Sequence, residues 1–167
     1  MLAGLLVAGL GPADSGSAWR EFSPPDSGFS IRLPGKPKEL ENGPPGMRQF
    51  ELKTGEEDYV VSFADVPEEM KGQPPEKVLE RLRDDFVQSI PGARLTGSKP
   101  FDLGGQPGLA WNVEAFSAKD GSKFKMKMSA VVANNRLYHY GFIGPSDSFK
   151  EAAVDRFLET FQLLPPK

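Results

Sequence analysis

The chain has 167 residues and a formal net charge of −3 at pH 7, and 38% of its residues are hydrophobic, which is enough for one domain with a substantial core. This mild acidity is unlike the basic excess of nucleic-acid-binding proteins, so we predict no nucleic-acid partner. Cysteine is absent, which excludes disulfides, thiol catalysis, thiolate metal sites and a lipid anchor attached through cysteine.

The first 18 residues differ in composition from the rest of the chain. Leu2 to Leu10 forms an apolar run with the length of a signal-peptide hydrophobic region, which is too short to span a bilayer. Small residues at positions 16 and 18 would permit cleavage before Trp19, although no Lys or Arg precedes the run. We predict a signal peptide over residues 1–18 and a single exported domain, periplasmic or secreted, over residues 19–167. The alternative is a mildly apolar N-terminus without a targeting role.

Short strands and turns follow the predicted cleavage site. Residues 19–22 form a short extended segment, and the Pro-Pro-Asp-Ser-Gly sequence at 24–28 predicts a turn. Phe29, Ile31 and Leu33 alternate with polar residues, which predicts a half-buried strand. Residues 36–46 are rich in proline and glycine, so we expect an exposed loop without regular structure.

A second hairpin and a helix come next. Phe50 and Leu52 alternate with polar residues, and after a polar turn residues 59–66 are rich in β-branched and aromatic side chains, so the two segments predict a hairpin. Pro74-Pro75 favours the start of a helix, where the missing proline N–H costs nothing. The apolar stripe of this helix consists of Val78, Leu79, Leu82, Phe86 and Ile90.

Residues 93–101 then predict a strand, and residues 102–108 predict a glycine-rich turn. This turn leads into three antiparallel strands over residues 109–143. Asp120-Gly121 is typical of a two-residue type I′ turn, because both residues tolerate a positive φ. Such a turn pairs Val113 with Met128. One face of the hairpin is then apolar, and a slip of one residue would place lysines in the core, so the pattern itself constrains the register.

Asn134-Asn135 predicts a second tight turn for the same reason. It pairs Met128 with Gly141 and extends the apolar face. The opposite face gains the aromatic side chains of Tyr138, Tyr140 and Phe142. A sheet that is apolar on one side and partly aromatic on the other requires cover on both sides. We expect the helix at residues 75–90 to cover the aromatic side.

The chain ends with a second predicted helix. Ser148 and Glu151 have the spacing of a capping box. Apolar residues recur every four positions behind it and predict a helix that packs on the sheet; they are Phe149, Ala153, Phe157 and Phe161.

The order of these elements predicts an α+β fold. Its strands are separated by a single mid-chain helix, which favours an antiparallel sheet over a parallel one. We expect about six to eight strands with a central meander, flanked by helices in a three-layer α/β/α sandwich.

Four segments have a familiar sequence and order: residues 28–37 (GFSIRLPGKP), 105–108, 135–138 and 157–161. The first resembles the entry hairpin of the PsbP/Mog1-like superfamily and its small exported bacterial relatives, and the other three are similar to later landmarks of that family. The resemblance covers most of the chain after Ala18. It implies an antiparallel sheet between helices that serves as a non-catalytic scaffold. Some members bind photosystem II or a small GTPase, but no residue match transfers either role to this chain.

Two groups of side chains are candidates for a ligand or partner surface. Lys123, Lys125 and Lys127 project from one strand face about 7 Å apart, as a row for an anionic ligand or as a solvated face. Tyr138 and Tyr140 form either core or an exposed aromatic patch, which would mark a partner site.

His139 is the only histidine, so a site built on two histidines is excluded. It is either a general base or pH-sensing group in a pocket, or a partly buried structural ring. The acidic run Glu56-Glu57-Asp58 lacks the spacing of a calcium loop and predicts a solvated turn. We therefore predict no catalytic residue, no metal site and no cofactor.

Three functions are consistent with these features. The first is an exported, non-catalytic module that docks on an envelope protein. The second is a carrier of a small apolar or anionic ligand in a pocket between sheet and helix, lined by Met126, Met128 and His139. The third is an enzyme that uses carboxylates, which is disfavoured because no spacing in the sequence places two titratable groups together.

Overall fold

The computed structural model describes residues 19–166, so the predicted signal peptide lies outside the described residues. The described residues form ten strands, two α-helices and two short 3-10 helices, at Glu68–Met70 and Ser146–Ser148. The strands are β1 Arg20–Phe22, β2 Phe29–Leu33, β3 Lys38–Leu40, β4 Met47–Thr54, β5 Glu57–Asp65, β6 Arg94–Leu103, β7 Gln106–Phe116, β8 Lys123–Ala133, β9 Arg136–Pro145 and β10 Gln162–Leu163. The helices are α1 Pro75–Gln88 and α2 Glu151–Leu158.

Two antiparallel sheets build the domain. Seven strands form the large sheet in the order β3-β4-β5-β9-β8-β7-β6, and β1-β2-β10 form a small one. Strands, and no helix, occupy residues 109–143 apart from the two turns. The predicted α+β fold with a central antiparallel meander is therefore confirmed. The expected irregular loop at residues 36–46 contains the short edge strand β3, and the glycine-rich turn shrinks to Gly104-Gly105.

The β8–β9 hairpin has the predicted register. Asn134 and Asn135 have φ angles of 51° and 61°, as a type I′ turn requires. Met128 pairs with Gly141, and this glycine is required, because a Cβ at Gly141 would lie 2.6 Å from the carbonyl oxygen of Lys127. A side chain at this position would force the two strands apart.

The β7–β8 hairpin differs from the prediction by two residues. Phe116 pairs with Lys123 and Val113 with Met126, so residues 117–122 form the loop. Gly121 has a positive φ but Asp120 does not. The Asp120 carboxylate instead accepts hydrogen bonds from the backbone N–H and the hydroxyl of Ser122. Since side chains alternate with a period of two, the shift preserves both predicted faces.

Helix α1 covers the apolar face of the large sheet over β7 and β8. Leu79 packs there with a buried cluster that includes Trp111 and Met128. Among residues 19–166, no helix covers the part of this face formed by β4 and β5. The outward side chains of these strands, such as Met47 and Val60, are only half-buried. A concave surface results between α1 and these strands.

The second face is covered differently from the expectation. Tyr138 and Tyr140 are buried with Phe29 and Phe157, so the small sheet and α2 form the cover. The expectation that the helix at residues 75–90 covers this face is wrong, because α1 packs on the opposite side. Its short connection to the edge strand β6 holds it beside β7.

The closing helix is shorter than predicted and has no capping box. Helix α2 begins at Glu151 after Lys150 and has no side-chain cap, because Ser148 belongs to a preceding 3-10 turn. Ala153 is exposed, whereas Val154 is buried. Phe161 lies beyond the end of the helix, where it stacks on Tyr140 with a centroid distance of 4.1 Å.

Candidate functional site

The lysine row on β8 is neutralised by acidic side chains. Lys123 lies 3.4 Å from Glu114, and Lys125 lies 3.7 Å from Glu151. Lys127 lies 3.2 Å from Glu151 and 2.5 Å from Asp155. The three lysines therefore link β8 to its neighbour β7 and to α2. They offer little unpaired charge to an anionic ligand.

Lys127 is the most enclosed of these lysines, with 22% of its side chain exposed. Burial alone would lower its pKa, but the hydrogen bonds that the ammonium donates to Asp155 and Glu151 outweigh burial and raise the pKa of Lys127. This lysine is therefore charged at neutral pH and bridges two successive turns of α2.

The two candidate tyrosines belong to the core. Tyr138 and Tyr140 are 5% and 3% exposed, and burial raises the pKa of both phenols. Neither ring presents a surface to a partner.

Burial also dominates the environment of His139. Its ring stacks on Trp111 with a centroid distance of 5.3 Å and meets the edge of Phe86 at 5.2 Å. Its Nε2 atom is buried and has no hydrogen-bond partner among residues 19–166. Desolvation lowers the pKa of His139 to about 4, so the ring is neutral at pH 7.

A cleft of about 290 Å³ lies between α1 and the half-covered strands. Its apolar lining comprises Leu40, Pro44, Met47, Phe50, Val60, Val61, Leu82, Phe86, Met128 and Ile143, and its polar lining comprises Gln49, Ser62, Asp85 and His139. The predicted pocket between sheet and helix thus contains two of its three expected residues. Met126 belongs to the same buried cluster as Met128 but lines a separate hollow beside Phe149.

This cleft collects a serine, a histidine and an aspartate, the residue types of a hydrolytic triad. Ser62 is the cross-strand neighbour of His139, and Asp85 lies at the wall on α1. Among the described residues, His139 Nε2 has no hydrogen-bond partner, and the Asp85 carboxylate pairs with Arg81 instead. A nucleophile needs a base within hydrogen-bond reach, and that base needs a group to orient it. Within residues 19–166, these three side chains therefore do not form a catalytic triad.

Two carboxyl groups meet on the same face of the sheet, near the β4–β5 turn. Desolvation and a hydrogen bond to Glu51 raise the pKa of Asp58 to about 7. The same hydrogen bond lowers the pKa of Glu51. The two groups titrate as a pair that shares one proton. The expected solvated turn at residues 56–58 thus holds one half-buried acid, Asp58. No cluster of three potential metal ligands occurs among residues 19–166.

A second hollow, of about 440 Å³, lies beside the start of β9. Arg136 donates from Nη1 to the carbonyl oxygens of Asp26 (2.6 Å) and Ser27 (3.1 Å), and its Nε lies 3.5 Å from Asp65. The guanidinium is therefore occupied in holding the N-terminal turn against β9.

The sequence did not predict that Ser62 and Asp85 line one cleft together with His139. The pairing of β5 with β9 joins segments more than 70 residues apart in the chain, and no turn signal reports it. The alternation of polar and apolar residues in β5 could have placed Ser62 and Val60 on one face, but not beside β9.

No family model and no curated protein matches the sequence, whereas several solved structures are similar. The solution structure of cyanobacterial PsbP (CyanoP) from Synechocystis sp. PCC 6803 aligns with a TM-score of 0.67 at 15% identity, over 93% of this chain and 98% of that chain. PA94, a protein of unknown function from Pseudomonas aeruginosa, aligns with a TM-score of 0.55 at 10% identity, over 89% and 98%. A Bacteroides thetaiotaomicron structure gives 0.55 at 12% identity, over 87% and 48%.

These likenesses establish that the chain has a PsbP-like fold, and at this level of identity they establish the fold alone. None of the three is described as an enzyme. No helix within residues 19–166 is both long enough and apolar enough to cross a membrane.

Proposed function

We propose that this chain, with its PsbP-like fold, is an exported, non-catalytic binding module of the cell envelope. The cleft beside α1 is the observation that carries the proposal, because it leaves Leu40 accessible at its rim, whereas the small sheet and α2 bury the aromatic side chains on the opposite face of the large sheet. The lysine and histidine side chains that were candidates for a functional role are not arranged for catalysis. Among the described residues, the candidate lysines are ion-paired and His139 is neutral and has no nucleophile hydrogen-bonded to it.

Export rests on the composition of residues 1–18. Cell fractionation of the native organism should recover the protein outside the cytoplasm, and N-terminal sequencing of that material should begin at Trp19. Recovery of the intact chain from the cytoplasm would contradict export and a location in the cell envelope.

The binding role is tested by crosslinking in intact envelopes followed by affinity purification. We expect one partner to be recovered in a fixed ratio to the protein and to be reduced when Leu40, which is 40% exposed at the cleft rim, is changed to Glu. Leu164 is 37% exposed and lies outside the cleft, so Leu164→Glu is the matched control. Repeated recovery of no partner counts against docking on a protein.

A second candidate function is that of a small-ligand carrier. The cleft favours it, because Met128 and His139 line the same hollow between sheet and helix. Native mass spectrometry of protein purified from its own envelope without denaturant is the test. A co-purifying small mass supports the carrier function, and a clean apo mass contradicts it.

A further inference from the structure

We propose that the cleft beside α1 binds a small uncharged molecule that is mostly apolar and has one polar end, such as a medium-chain alcohol. The inference rests on the second candidate function, the ligand carrier, and names the class of its ligand.

The size of the cleft limits the ligand. Its volume of about 290 Å³ is at the lower end of the ~300–1,000 Å³ range of small-molecule sites. This size favours a small ligand. Leu40 at the end of β3, Pro44, and Met47 at the start of β4 line the cleft together with Leu82 and Phe86 of α1.

The charges around the cleft exclude an ionic ligand. Among residues 19–166, no lysine or arginine lines the cleft, so a carboxylate or phosphate would lose its hydration without gaining a counter-ion. Asp85, the one charged lining residue, disfavours an anion further. Its carboxylate lies 3.6 Å from Arg81 and is therefore already paired, which also reduces the gain for a cationic ligand.

The neutral polar groups of the cleft, Gln49, Ser62 and His139, lie on the sheet side. Ser62 and His139 are cross-strand neighbours, and Gln49 lies on the strand next to Ser62. Neutral hydroxyl, imidazole and amide groups exchange hydrogen bonds with a hydroxyl without needing a charge. The polar end of the ligand therefore points to the sheet, and its apolar part points to α1.

Three probes of equal chain length test the charge preference: 1-octanol, octanoate and octylammonium. Binding is followed by NMR, through the indole N–H signal of Trp111, which stacks on His139, and the ring signals of Phe86. We expect 1-octanol to shift these signals in a saturable way and to bind at least tenfold more tightly than either ion. Tighter binding of octanoate or octylammonium overturns the inference, as does an absence of shifts up to the solubility limit of octanol.

Two exposed leucines provide a matched pair of variants. Leu40→Glu places a charge at the rim of the cleft and should weaken octanol binding at least fivefold. Leu164→Glu should leave it unchanged. An equal loss in both variants, or in neither, contradicts the site. If native mass spectrometry finds a bound mass but octanol does not bind, the ligand class is wrong and the carrier function stands. If the protein purifies in the apo form and octanol does not bind, the ligand class and the carrier function are both wrong.

Discussion

At the scale of single residues, the fold shifts the pKa values of two ionisable side chains of one sheet face in the direction that favours their neutral forms. Burial lowers the pKa of His139 to about 4. Burial together with Glu51 raises the pKa of Asp58 to about 7. The two shifts have opposite consequences for stability between pH 4 and 7. In that range the unfolded state binds the extra proton at His139, whereas the folded state binds it at Asp58.

The first prediction concerns His139. Its folded pKa lies below the unfolded value of 6.5, so this residue contributes stability above pH 6.5 that is lost as the pH falls toward 4. His139→Phe keeps a ring between Trp111 and Phe86 and removes the titration. Urea unfolding of both proteins at pH 7 and pH 4.5 should show the variant gaining about 2 kcal/mol relative to the native protein at the lower pH. An unchanged difference between the two pH values would show that the ring is accessible to water.

The second prediction concerns Asp58. Its folded pKa lies above the unfolded value of 3.8, so its contribution is present at low pH and is lost as the pH rises from about 4 to about 7. Asp58→Asn mimics the protonated acid and can donate to Glu51. Between pH 5 and pH 8 the native protein should lose stability relative to this variant, by a few degrees in the melting temperature.

The control for Asp58 is Glu56→Gln, which alters an exposed acid in the adjacent turn. It should retain the pH dependence of the native protein. Equal pH dependence in the native protein and Asp58→Asn would mean that the two carboxyl groups are solvated separately and share no proton.

At the scale of elements, the two hairpins show what a turn signal can determine. Asn134-Asn135 specifies its turn because both positions adopt a positive φ, and every pair along β8 and β9 follows. Asp120-Gly121 does not form a two-residue turn, because the hydrogen bonds from Ser122 to Asp120 stabilise a longer loop. The period of two makes the faces predictable even where the exact partners are not.

The third prediction concerns the attachment of α2 to the sheet. Lys127 contacts both Glu151 and Asp155, so Lys127→Met leaves two acids of one helix without their common partner. The free energy of unfolding should fall by about 1 kcal/mol, and amide hydrogen exchange should accelerate in α2 more than in α1. Lys123→Met is the control on the same strand face. Its ion pair is half exposed, at 46% for the lysine, so it should change stability by less than about 0.5 kcal/mol.

At the scale of the whole molecule, the sequence predicted which strands have apolar faces, but it did not predict which element covers each face. Local periodicity identifies β2, α1 and the meander, because each pattern lies within one segment. Tyr140 is covered by β2 and by Phe161, which are far apart in the chain, so no local pattern predicts this contact. The cleft could not be predicted for the same reason. It exists because helix α1 covers only part of the seven-stranded sheet, and this depends on packing and not on any motif.

The last prediction tests how the C-terminal segment closes the domain. Phe161 is 2% exposed and stacks on both Phe29 and Tyr140, so it joins the small sheet to the large one. Phe161→Ala removes a buried ring from this junction and should lower the free energy of unfolding by about 3–4 kcal/mol in urea. Leu164→Ala, three residues later and 37% exposed, should change it by less than about 0.5 kcal/mol. Because Tyr140 borders the junction on the large sheet, Phe161→Ala should also change the near-ultraviolet circular dichroism of the folded protein. A small loss of stability with unchanged dichroism would mean that β2 and α2 cover this face without the C-terminal segment.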